Sequence, residues 1–106
     1  GPLRGNRLLE REAGRHAAQI CRAGRARHVS EDGDPERRLE RAGVRARHVG
    51  EAIARAEDRD AAWAALRTSP SHRAALADRR FTDVGVGEAE GGRCVVVLLA
   101  AWPRVF

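Results

Sequence analysis

The stretch that most limits what this chain can fold into is RCVVVLLAAW, residues 93–102. Its apolar run is too short for a membrane helix, which takes about 20 residues. It is rich in β-branched valine and follows the turn signal Glu90-Gly91-Gly92, so it reads as a strand. A strand that is apolar at nearly every position, rather than at every second one, has both faces covered. Just upstream, Phe81, Val84 and Val86 stand among Gly85 and Gly87, and the two stretches read as an antiparallel hairpin. Helices must then cover both sides of that hairpin. The expected fold class is α+β: a three-layer α-β-α sandwich with a small antiparallel sheet. At 106 residues the whole chain, 1–106, reads as a single domain.

The helices are legible from spacing. Leu9, Ala13, Ala17 and Ile20 recur on one face, with Leu8, His16 and Cys21 beside them, and Gly24 offers a left-handed stop. Residues 24–33 read as a loop ending in Asp32-Gly33. In DPERRLERAG, Asp34 is an N-cap, Pro35 sits at the first helical position and Gly43 follows the last turn. Val44, Ala46, His48 and Gly50 then alternate ahead of Ile53, which suggests a short strand, with Gly50 at a close backbone approach or a kink. Ala61, Ala62, Trp63, Ala65 and Leu66 mark a helix capped by Asp58 or Asp60. A second one starts at Ser69 with Pro70 at its first position and carries Ala74, Ala75 and Leu76. Pro70 steers Ser69 away from helical geometry and so separates the two.

The formal charge is +5, and all 20 basic residues are arginine. Acids are interspersed among them, as in Glu36, Arg37, Arg38, Glu40 and Arg41, the pattern of solvated helix faces with i,i+4 pairs. Two Trp, two Phe and no Tyr leave little to stack on bases. Nucleic acid is therefore not an expected partner, and no stretch reads as a transmembrane segment. Cys21 and Cys94 form no CxxC spacing, so a zinc cluster is not indicated. They fit two buried thiols or one disulfide. Free thiols are the simpler expectation, and export would favour the bridge. Gly1-Pro2 reads as a protease-cleavage scar, and the chain as an N-terminally shortened fragment of a larger protein.

Four segments, in order, carry a resemblance: RARHVSEDGDPERRLERAG, VGEAIA, WAALRTSPSHRAAL and FTDVGVGEAEGGRCVVVLLA. Together they resemble the CAP superfamily of cysteine-rich secretory, antigen 5 and pathogenesis-related proteins, in its short bacterial, SCP-like branch. The second segment is similar to that family's Gly-Glu-Asn strand, and the third to its Trp and Ser-Pro-Gly-His-Arg segment. The resemblance implies an α-β-α sandwich with a surface cleft lined by histidines and acids. Residue by residue, it assigns His28 and His72 to the cleft histidines and Glu51 to the acid. The pattern departs at Ala52, where the family has Asn. It departs again near Trp63, where Leu66 stands in the region of the second acid. The family's opening segment is shortened, with Asn6 and Arg7 as a remnant.

Two imidazoles and a carboxylate converging in a cleft are a donor set that zinc accepts, with one position left open in catalytic sites. The alternative is that Glu51 holds His28 or His72 by a charge-assisted hydrogen bond and fixes the surrounding loops. The positive end of the helix starting at Pro70 disfavours an imidazolium at His72 and leaves a ring able to accept a hydrogen bond or bind a metal. His16 reads as a satisfied core or boundary histidine, and Trp63 and Trp102 as packing anchors. Ser69 and Ser71 lie close to His72, but no G-x-S-x-G elbow is present. The expected function is a non-enzymatic, extracytoplasmic bacterial binding domain for a partner protein, an envelope component or a small apolar ligand. The alternative is a zinc-dependent hydrolase using the same residues.

Overall fold

The computed structural model describes residues 3–30 and 33–103. Gly1, Pro2 and Asp32 lie outside them, and with them the expected cleavage scar and half of the expected Asp32-Gly33 turn. Strand β4 (Cys94–Ala100) is buried at every position. It runs antiparallel to β3 (Asp83–Ala89) on one side and to β2 (Val49–Arg55) on the other. β1 (Arg4–Gly5) pairs parallel with β3, giving the order β1-β3-β4-β2. The sheet is therefore mixed, not wholly antiparallel as expected. Two residues pairing with a segment almost eighty positions away leave no periodic signal in the sequence.

The alternation of β4 splits the core in two. Cys94, Val96, Leu98 and Ala100 pack with Leu9, Ala13, Ala17 and Ile20 of α1 (Arg7–Ala23) and Leu39 of α2 (Pro35–Arg41). Val95, Val97 and Leu99 face the other way, onto Ala62 and Leu66 of α3 (Arg59–Thr68), with Ala75 of α4 (Pro70–Ala77) at the margin. Each buried Val or Leu contributes about 1.5–3 kcal/mol, so both helix layers are held by the same strand.

α1 lies directly on the backbone of β3. A Cβ at Gly85 would stand 2.2 Å from the Glu10 nitrogen, and one at Gly87 would stand 2.1 Å from the Gly14 nitrogen. The two glycines in VGVG are thus the seat of the first helix. Gly50 is also a close approach, though to a ring: a Cβ there would meet Phe81 Cζ at 2.6 Å.

Cys21 and Cys94 form a disulfide with Cα atoms 5.9 Å apart, which corrects the free-thiol expectation. Cys21 flanks the buried face of α1 and so meets the first residue of β4. Asn6, Asp34 and Asp58 cap their helices, accepting from Leu8 and Leu9, from Arg37 and from Ala61. Ser69 occupies the cap position of α4 but makes no cap bond. Its hydroxyl pairs with that of Ser71 at 3.0 Å instead. Asn6 also donates to buried Asp83 at 2.9 Å, tying the start of α1 to β3.

Candidate functional site

Glu51 is the third residue of β2 and shares the parity of Ile53, which packs in the α1 layer. Its side chain is 1% exposed and points into that layer. Arg38 reaches it from α2. Capping by Asp34 and Pro35 fixes where that helix begins, and Arg38 turns inward one residue before Leu39. Arg38 Nη2 donates to Glu51 Oε1 at 2.9 Å. Nη1 lies 2.8 Å from Oε2 in an ion contact that is not an aligned hydrogen bond. His28 Nδ1 is 3.0 Å from Oε1, and His16 Nε2, from α1, is 3.8 Å from it.

Burial by itself would raise the Glu51 pKa. Hydrogen bonds from His28 and Arg38, with the charge of Arg38 and the nearby His16, outweigh it and hold the carboxyl below its ordinary value. Glu51 is therefore an anion at neutral pH and can only accept hydrogen bonds. It follows that the His28 Nδ1 carries the proton. The lone pair of the neutral ring then sits on Nε2, at the edge of a side chain that is 51% exposed. His16 Nε2 faces the Arg27 carbonyl at 2.6 Å. A carbonyl cannot donate, so this nitrogen carries its proton as well.

The same cluster grips the adjoining loop by its backbone. His16 holds the carbonyl of Arg27, Arg38 Nη2 holds the carbonyl of His28 at 2.9 Å, and Arg38 Nε reaches that of Gly33 at 3.4 Å. His28 turns inward to Glu51, while Arg25, Arg27 and Val29 line a groove of about 770 Å³ beside α1. The segment thus turns one side chain to the buried cluster and lines the groove with others.

The structure brings His28 and Glu51 together and leaves His72 apart. His72 sits in the first turn of α4, in the layer across the sheet from Glu51. It bonds to neither His28 nor Glu51, and its Nδ1 is buried without a hydrogen-bond partner. β2 alternation sends Glu51 to the α1 side, whereas Ala75 of α4 packs on the other. Among the described residues no three His, Cys, Asp or Glu side chains form a group able to hold a metal ion. Ser69 and Ser71 bond to each other. Trp63 and Trp102 both pack at the margins of the cores. No described helix is long and apolar enough to cross a membrane.

The cluster has two members that sequence reasoning did not assign to it. His16 was legible as a core histidine, and its place between Ala13, Ala17 and Ile20 does bury it completely. Arg38 gave no signal, because ERRLER looks alike on all its charged positions.

Helix layers on both faces of a hairpin-centred sheet give the chain an SCP-like fold. Two solved structures share that fold. One is an extracellular protein containing an SCP domain from Bacillus anthracis strain Ames, with TM-score 0.84, 25% identity, and coverage of 94% of this chain and 34% of that one. The other is an outer surface protein from Borrelia burgdorferi, with TM-score 0.85, 20% identity, and coverage of 97% and 80%. The chain thus spans 34% of the Bacillus protein's length. No protein-family model and no curated protein matches the sequence.

Proposed function

We propose that this chain is a non-enzymatic, extracytoplasmic binding domain that presents His28 and the loop around it to a partner protein, an envelope component or a small apolar ligand. The observation that carries this reading is the use made of Glu51. Both its oxygens face Arg38, and one also accepts from His28. The carboxylate is spent as a counter-ion and a loop anchor. An extracellular and an outer-surface neighbour support the location, as does a disulfide, which persists in oxidising compartments.

A zinc hydrolase fits these residues poorly. The guanidinium of Arg38 already stands where a cation would meet Glu51, and His72 lies in the other layer. Calorimetric zinc titration of the wild type and of a His28→Ala/His72→Ala variant tests the choice. The expected result is the same weak heat for both and no zinc-dependent ester hydrolysis. Stoichiometric zinc binding that vanishes in the variant, with hydrolysis that tracks zinc loading, would refute it.

A further inference from the structure

We propose that the groove between the C-terminal half of α1 and the segment 25–30 binds an acidic peptide segment of a partner protein, with carboxylates on Arg22, Arg25 and Arg27 and an apolar side chain on Ile20 and Val29. The proposal rests on the binding-domain reading and assigns it a surface and a ligand class.

The groove's charge is the first argument. Three arginines line its described part and no acid does. Some exposed arginines elsewhere are matched, Arg59 with Glu88, Arg80 with Asp78 and Arg15 with Glu12, while others, Arg67, Arg73 and Arg79 among them, show no ion pair among the described residues. Arg22, Arg25 and Arg27 have no such ion pair among the described residues. Arg55 stands next to the chain between Ala23 and Arg25, its Nη2 3.9 Å from where a Cβ on Gly24 would stand. Such a cluster attracts anions, and the guanidinium fork suits carboxylates.

The floor is the second argument. Ile20 and Ala23 lie between the arginines, and Val29 is 63% exposed at the rim. A phosphate polymer has no apolar group to place there. A membrane surface meets projecting patches better than a recessed one. A short peptide carrying both acids and a leucine-like side chain satisfies the arginines and the floor together.

Rigidity is the third. His16 and Arg38 pin the carbonyls of Arg27 and His28 from behind, so the wall is ordered before a ligand arrives and less entropy is lost on binding.

A fluorescein-labelled peptide Glu-Leu-Glu-Glu-Leu-Glu, followed by anisotropy at low salt, is the probe. Binding should weaken about tenfold or more in Arg22→Ala/Arg25→Ala/Arg27→Ala and about threefold in Val29→Ser. It should be unchanged in the charge-matched control Arg67→Ala/Arg73→Ala/Arg79→Ala, on exposed positions of the other helix layer. Amide NMR shifts on the wild-type chain should gather at residues 20–30. Several results overturn the proposal: equal weakening in both triple variants, equal binding of the Gln-Leu-Gln-Gln-Leu-Gln peptide, or no binding of the acidic peptide. Phosphatidylglycerol vesicles or polyphosphate that bind through these arginines when the peptide does not would also overturn it. None of these touches the binding-domain reading, which falls instead to zinc-dependent hydrolysis.

Discussion

Glu51→Gln isolates the charge at the centre of the site. The glutamine keeps the shape and one accepting oxygen but removes the anion facing Arg38, whose side chain is 4% exposed. Breaking a buried pair by removing one partner costs about 3–5 kcal/mol, because the other charge is left uncompensated. His28 loses a charge-assisted bond as well, but its half-exposed ring recovers most of that from water. We therefore expect a loss of about 3 kcal/mol in urea unfolding, with the urea dependence unchanged. For a chain of this length that corresponds to a fall of about 13 °C in Tm. The double variant Arg38→Met/Glu51→Leu removes both charges and should recover most of the loss. Far-ultraviolet dichroism and tryptophan fluorescence give the two unfolding curves. A loss below about 1 kcal/mol for Glu51→Gln, or a double variant no more stable than the single ones, would show that Arg38 and Glu51 do not act as a desolvated pair.

Other outcomes follow from the same coordinates. Replacing Cys21 and Cys94 by alanine opens a 73-residue separation and should cost about 4 kcal/mol in the chain-entropy model, read by urea titration; thiol labelling of the unfolded wild type should find no free cysteine. Gly87→Ala would drive a methyl into the α1 backbone at Gly14 and should destabilise by about 3 kcal/mol or more. Gly14→Ala, whose Cβ meets nothing within 4 Å, should stabilise by up to about 1 kcal/mol through helix propensity; similar melting temperatures for the two would contradict the close contact. Acid should unfold the wild type in part through Glu51. Its folded pKa is lowered, so the unfolded chain holds more protons and stability rises with pH. That contribution is complete above the unfolded value of about 4.3 and is lost as pH falls through the folded one. Glu51→Gln should flatten this part of the stability profile, and an unchanged slope would refute the assignment.

The parts of the fold that were legible are those whose reason is local. The continuous run through Val95–Ala100 announced a strand covered on both faces, and Asp34-Pro35 announced the start of α2. Cap chemistry was less complete: Ser69 begins α4 where expected, yet a second hydroxyl at Ser71 offers it a competing partner. The site was half legible. Glu51 follows a glycine in a strand, and His28 stands alone in a loop, so both are conspicuous. Arg38 is one of five arginines in the span from Arg37 to Arg47, and only the docking of α2 on β2 singles it out. His72 was conspicuous too, but which layer Glu51 enters follows from strand parity, and that depends on a register that the sequence does not print.

Why this place holds ions instead of an apolar plug can be argued from the loop. The backbone at Arg27 and His28 runs against a buried region, and a carbonyl withdrawn from water needs a donor. A methyl group could fill the space but could not aim at two successive carbonyls. His16 and Arg38 do so. Arg38 brings a full positive charge into a dry site, and that charge needs a buried anion, which Glu51 supplies. Groove wall, carbonyls, donors and counter-ion thus form one chain of requirement. It has a consequence that stability measurements alone would miss. In Arg38→Met/Glu51→Leu the fold should regain most of its stability while the loop loses the donors of Arg38 and keeps that of His16. Amide exchange across residues 26–30 should then accelerate about tenfold or more, and affinity of the groove for the acidic peptide should fall with it. A double variant that is stable, equally protected in this segment and equally able to bind the peptide would mean that packing alone holds the wall.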